Sequence, residues 1–186
     1  MWDWLKTPKL SATRQKQHNE PAGGEPLETS KNKVIIITGT SGSGRNSAAK
    51  QLSMSLGIPY VFPYTTRTMR PRERDGEHYH FIAEEEFQAM REREEFFQNV
   101  HLERGWYGIS EAELQEALEE SKAAIVVVNH EGAGAFRKRF GEDAIRIFIY
   151  VTKNDIRLRL EREAAPYAVM EEYLENYTEQ VIHKKE

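Results

Sequence analysis

The chain has 186 residues, a formal net charge of −4 and no cysteine. The length suits one domain with a sizeable core, the acidic balance gives no electrostatic reason to expect nucleic acid as a partner, and without thiols there is no disulfide, thiol nucleophile or thiolate metal site. No apolar run approaches the ~20 residues of a membrane span, and Met1-Trp2-Asp3-Trp4-Leu5-Lys6 is too short an apolar start for a signal peptide, so a cytoplasmic location is expected.

Residues 1–32 read as a flexible N-terminal tail, polar and interrupted by Pro8, Pro21, Gly23, Gly24 and Pro26. Trp2, Trp4 and Leu5 stand out in it. They either pack loosely or form a short docking anchor for a protein partner or membrane surface. Loose packing is favoured, because so short a segment buries little area.

The folded part is expected from Lys33. Val34–Thr38 is a β-branched run between charge and glycine, which predicts a buried strand. Arg45–Leu56 follows as a helix stopped by Gly57. Ile58–Phe62 predicts a second strand. Residues 63–82 are rich in arginine and aromatics. Phe87–Glu95 predicts a helix, then Phe96–Leu102 and Trp106–Ile109 short strands. Ser110 is the expected cap of a helix whose apolar positions are Leu114, Ala117 and Leu118. Ala123–Val128 is all apolar, as in parallel sheets. Glu131–Phe140 predicts a helix with Gly141 as its stop, and Ala144–Val151 a further strand. Over 154–163, Ile156, Leu158 and Leu160 alternate like a strand. Leu, Arg and Glu favour helix, however, and a strand has just ended, so helix is predicted. Pro166 restarts a helix that runs toward the end. Alternating strands and helices place the chain in the α/β class.

The first chemical motif is Gly39-Thr40-Ser41-Gly42-Ser43-Gly44-Arg45-Asn46-Ser47. It lies between strand and helix, the context of a phosphate-binding loop. That pattern is G-x-x-x-x-G-K-[S/T]. Gly39 and Gly44 keep the spacing, but Arg45 replaces the lysine and Asn46 the hydroxyl residue.

The second motif is the run Thr65-Thr66-Arg67-Thr68-Met69-Arg70-Pro71-Arg72-Glu73-Arg74-Asp75-Gly76-Glu77-His78-Tyr79-His80-Phe81. Arg67 and Arg70 can present two guanidinium forks to one phosphate. Gly76 allows a sharp turn that brings Tyr79 back toward them. A solvated basic loop with core aromatics is the alternative. His78 and His80 share one face of an expected strand, and a polar strand face is favoured there over a metal pair. Gly132 and Gly134 read as a strand-to-helix loop rather than an anion-binding turn. The charged run Glu84 to Glu95 reads as a solvated helix face.

Together these motifs resemble the guanylate kinase family, whose T-T-R-x-x-R, acidic residue and G-x-x-Y-x-F are matched at Thr65, Thr66, Arg67, Arg70, Glu73, Gly76, Tyr79 and Phe81. The resemblance covers roughly Lys33 to Lys185. It implies an α/β fold with a P-loop NTPase-like parallel sheet and flanking helices, an inserted small mixed-sheet GMP-binding region, and a helical lid. Carried onto this chain, the core is 33–62 and 111–151, the GMP-binding region 63–110, and the lid and last helix 152–186. The implied reaction moves the γ-phosphoryl of ATP to GMP with Mg²⁺. The implied phosphate loop is Gly39, Ser41, Gly42, Ser43, Gly44, Arg45, Asn46 and Ser47, and Asn46 is a weak metal candidate. GMP would be held by Thr66, Arg67, Arg70, Tyr79, Gln98 and Tyr107. Arg45, Arg159 and Arg162 are the expected catalytic cations.

Departures from the family pattern gather on the donor side. Arg45 is a bulky fork at a tight turn. Asn46 offers magnesium a carbonyl oxygen instead of a hydroxyl. Val127 and Asn129 stand where the family has carboxylates, with Glu131 on the following turn. On the acceptor side Gln98 replaces a base-binding glutamate, which weakens selectivity for guanine. Pro63 replaces a serine and Tyr173 a lid arginine. The family's further strand and helix have no counterpart before Glu186, so either the sheet is one strand short or the tail or a partner covers its edge. The expected function is binding of GMP or a similar phosphate ligand with weak or lost phosphotransfer. An active ATP:GMP phosphotransferase and a phosphopeptide- or protein-binding module remain the alternatives.

Overall fold

The computed structural model describes residues 32–185. The expected tail, with Trp2 and Trp4, lies outside the described residues except for Asn32. The first half contains β1 (Lys33–Gly39), α1 (Arg45–Leu56), β2 (Tyr64–Thr65), β3 (His80–Phe81), α2 (Glu84–Glu92), β4 (Phe96–Leu102) and β5 (Gly105–Ser110). The second half contains α3 (Glu111–Ser121), β6 (Ala123–Val127), α4 (His130–Phe140), β7 (Ala144–Ile149), α5 (Lys153–Arg162), α6 (Tyr167–Glu175) and α7 (Tyr177–Ile182).

The core sheet is parallel, in the order β6-β1-β7. Ile36 pairs with Val126 on one side and Arg146 on the other. β1 is apolar from Val34 to Ile37, where it is covered on both faces. Val34 and Ile36 pack with Leu114 and Leu118 of α3 and Phe136 of α4. Ile37 packs oppositely with Ala49 of α1, Tyr60 and Ile125. β7 has β1 as its partner among the described residues, and Ile145 and Ile147 on it are exposed. No described helix is long and apolar enough to cross a membrane.

The expected strand Ile58–Phe62 shrinks to one bridge, Tyr60 to Ile125. Val61 N–H still donates to the Ile125 carbonyl and Ile125 N–H to that of Pro59. Pro59 and Pro63 carry no N–H, so the ladder cannot extend.

The smaller sheet is mixed, in the order β3-β2-β5-β4, with β2 and β3 parallel. Phe87 and Met90 of α2 pack on Phe96 beneath it. α2 starts three residues before the expected Phe87 and ends at Glu92. Glu84, Glu85 and Glu86 favour its positive end, and Glu94 turns to φ 56° before β4. The expected two-histidine strand face is absent: His80 is on β3, but His78 lies in the preceding turn, where its Nδ1 accepts from Arg74 N–H. A single bridge from Asp75 to Tyr79 spans the Gly76 turn, and the strand itself starts at His80.

A Thr152–Asp155 capping box opens α5. The single helix expected after Pro166 is broken at Asn176 into α6 and α7. Asparagine is a poor helix former, and here its side chain donates to Glu103.

Candidate functional site

A cleft of about 640 Å³ separates the core sheet, the small sheet and α5 to α7. Its floor is the loop between β1 and α1. Gly39, Gly42 and Gly44 hold φ of 144°, 75° and 88°, and so can curl the backbone over the start of α1. Gly44 caps α1 without any side-chain hydrogen bond, and no acidic residue stands in the first turn. Thr40 Oγ1 and Ser43 Oγ are buried without a partner. The unpaired N–H groups of an open helix start have the polarity that anions favour. Arg45 and Asn46, both half-buried, and Ser47 line the cleft.

Two side chains from the far end of the chain already touch this loop. Arg159 Nη1 donates to the Gly42 carbonyl at 2.7 Å. Gln180 of α7 accepts from Ser41 N–H at 2.6 Å and donates to Ser41 Oγ at 3.0 Å. α7 is seated further by His183, whose ring stacks on His130 at 3.8 Å and whose carbonyl accepts from Arg146. Arg146 also donates to Thr38 Oγ1 at 3.1 Å.

Arg67 forms the opposite wall. It is 7% exposed, and its two Nη groups donate to Glu73 at 2.8 and 2.9 Å. Two freely presented forks were expected, but Arg67 differs because a buried guanidinium needs a carboxylate partner. Burial works against the Arg67 charge, and the Glu73 hydrogen bonds and charge outweigh it, so its pKa is raised. Burial likewise pushes the Glu73 carboxyl up. Arg67, with the Arg70 N–H, outweighs that and holds it below its usual range.

The Gly76 turn, with φ 70°, and the bond from Gly76 N–H to the Tyr79 carbonyl bring Tyr79 back under Arg67. The Arg67 guanidinium carbon lies 5.1 Å from the Tyr79 ring centre. Tyr107 stands 6.1 Å from Tyr79, ring to ring. Its phenol is pushed up by burial, with Arg67 acting against that. Gln98, on β4, reaches the first turn of α4: a Cβ on Gly132 would lie 3.1 Å from its Oε1.

Of the residues expected from sequence, Gly39, Ser41, Gly42, Gly44, Arg45, Asn46, Ser47, Arg67, Arg70, Tyr79, Gln98, Tyr107 and Arg159 all line this cleft. Three expected residues do not line it. Ser43 is buried beneath the loop. Thr66 is tied to the β4–β5 hairpin, its Oγ1 accepting from Trp106 N–H at 3.0 Å. Arg162 is exposed in the last turn of α5, one turn beyond Arg159. Gly132 and Gly134 are helical rather than a loop, and Glu131 is in the first turn of α4, because Asn129 caps α4 by accepting from Gly132 N–H.

Sequence reasoning missed Gln180, Arg104 and Glu172. Arg104 donates to Glu172 at 2.7 Å, binding the hairpin tip to α6. These contacts join residues far apart in the chain, so no local spacing announces them.

The class these features define is that of the P-loop α/β proteins. The family model described as guanylate kinase matches residues 31–183, and the chain belongs to the guanylate kinase family. It is 34% identical over 128 residues to the guanylate kinase of Helicobacter hepaticus, covering 68% of this chain and 64% of that one. The match therefore spans a little under two thirds of that relative. With the guanylate kinase of Campylobacter jejuni strain RM1221 the identity is 29% over 153 residues, covering 80% and 74%. The crystal structure of guanylate kinase from Anaplasma phagocytophilum shares the fold, with a TM-score of 0.64 and 21% identity over 83% of this chain and 72% of that one.

Proposed function

We propose that the chain binds GMP or a closely similar nucleoside monophosphate, with weak or lost phosphoryl transfer from ATP. The observation that carries this reading is the contrast between the two walls of one cleft. On the acceptor wall Arg67, Arg70, Tyr79, Tyr107 and Gln98 converge. On the donor wall the loop carries Arg45 and Asn46, and its Ser41 N–H is taken by Gln180.

Phosphoryl transfer asks the protein mainly to position groups and stabilise charge. Loss of one such stabiliser costs about 10²–10³-fold in rate, and losses within one site are not additive. The open start of α1, with no acidic residue in its first turn, suits a phosphate chain. A magnesium ion bound with that chain would neutralise phosphate charge, with Asn46 and Ser47 among the loop residues whose side chains carry oxygen and line the cleft.

Isothermal titration of the full chain tests the reading. GMP is expected to bind with micromolar affinity and Mg-ATP far more weakly. ADP release should stay far below the ~10 s⁻¹ of a typical enzyme. Ordinary turnover would overturn the claim of weak transfer, and absence of GMP binding would overturn the acceptor assignment. Gln180→Ala should tighten Mg-ATP more than GMP, since it frees a loop N–H and touches none of Arg67, Tyr79 or Tyr107.

A further inference from the structure

Tyr173 of α6 sits where three parts of the cleft meet. A Cβ added at Gly42 would lie 3.2 Å from its ring, so the ring packs directly on the phosphate loop. Its hydroxyl accepts from Arg70 Nη2 at 2.6 Å. The Arg104 guanidinium stacks on its face at 4.9 Å, held there by Glu172. The side chain is 9% exposed and packs with Ile156 and Leu160 of α5. One phenol therefore joins the loop, the acceptor wall and the hairpin tip.

The two acceptor arginines have unlike partners. Arg67 is matched by the Glu73 carboxylate. Arg70 is an exposed side chain, and its guanidinium meets a neutral phenol. A phenol accepts one of the five guanidinium N–H groups and leaves the positive charge uncancelled. An exposed arginine loses much rotamer freedom when fixed on a ligand. A partner that fixes it beforehand, without neutralising it, reduces that cost.

We propose that Tyr173 is a positioning residue that aims Arg70 at the acceptor phosphate and links that aim to the seating of α6 on the phosphate loop. The proposal rests on the reading that the cleft takes a nucleoside monophosphate. The seating of α6 and the aim of Arg70 then share one side chain, whose hydroxyl holds Arg70 while its ring lies on Gly42.

The test uses the full-length wild type, Tyr173→Phe, Arg70→Ala and the double variant. Phenylalanine keeps the ring that Gly42 and Arg104 pack on and removes only the hydroxyl. Dissociation constants are measured for GMP and for guanosine, which lacks the phosphate. Tyr173→Phe is expected to weaken GMP roughly tenfold, the scale of one hydrogen bond to a charged group, and to leave guanosine unchanged. In the Arg70→Ala background the same change should have no further effect. The proposal is overturned if Tyr173→Phe binds GMP like wild type, weakens both ligands equally, or adds its full effect to Arg70→Ala. Failure of wild type to bind GMP overturns the nucleotide reading and this proposal with it. Wild-type binding with an unaffected Tyr173→Phe overturns this proposal alone.

Discussion

Arg67→Ala is expected to abolish phosphate-dependent GMP binding and to lower the melting temperature in the same protein. The second effect comes from what the substitution leaves behind. The Glu73 side chain is 14% exposed and would keep only the Arg70 N–H at 2.8 Å. Removing one partner of a buried pair costs about 3–5 kcal/mol. For a domain of this size each kcal/mol moves the melting temperature by about 2–4 °C. Adding Glu73→Gln should recover part of the loss by removing the stranded charge, without restoring GMP binding.

The pair also has a pH signature. The Glu73 pKa is held below its ordinary value of 4.5, so its contribution is present above the unfolded pKa and lost as pH falls through the folded one. Arg67→Ala removes the hydrogen bonds and the charge of Arg67 that help hold that pKa down, so the variant gains less from an ionised Glu73. The stability gap between the two proteins should be full near neutrality and narrow below about pH 4.5. Thermal melts across that range check it, and a gap constant with pH would count against the assignment.

Gly39→Ala is expected to destabilise the fold more than other changes in the phosphate loop. Gly39 closes β1 with φ 144°, a conformation that side chains resist. An added Cβ would lie 1.8 Å from the Ile149 carbonyl oxygen and 2.7 Å from its carbon. These are backbone atoms of the neighbouring strand, paired with Gly39 in register, and cannot rotate away. Backbone strain and overpacking each cost about 1–3 kcal/mol, against a typical stability of about 5–15 kcal/mol. Differential scanning calorimetry should show a fall of several degrees. The comparable Gly134→Ala, where the added Cβ meets nothing within 4 Å, should not fall. A melting temperature unchanged by Gly39→Ala would refute the close approach of β1 and β7.

Periodicity made the elements of the core legible. The β-branched run at Val34 and the apolar run at Ala123 became neighbouring buried strands because an all-apolar run gains from cover on both faces. The grouping of Arg67, Arg70 and Tyr79 on one wall of the cleft was legible because they lie within a short span, and one glycine turn returns Tyr79 to Arg67. Ile58–Phe62 misled because apolar content signals burial but not pairing, and two prolines had removed the N–H groups. The partners of the cleft were the hardest to read. Glu73 stood inside the motif, yet only the burial of Arg67 shows that it occupies the fork. Gln180 meets Ser41, and Tyr173 meets Arg70, across most of the chain's length. Such pairs follow from how α6 and α7 come to rest, which no local spacing encodes.

The placement of β1 at the centre of the parallel sheet governs how the protein assembles. Lys33 pairs with Ala123 and Val34 with Ala144, so its nearest strand partner lies roughly ninety residues along the chain, and such distant closures slow folding. The β4–β5 hairpin turns within two residues between Leu102 and Gly105 and can close in microseconds. The acceptor side is thus built largely from nearby sequence and gains its shape early. The phosphate loop cannot: Gly39 is braced against Ile149 and Thr40 N–H donates to the Ile149 carbonyl. On the ribosome the loop between β1 and α1 stays unbraced until β7 has emerged, so this wall of the cleft takes its shape late in synthesis, after the β4–β5 hairpin can have formed.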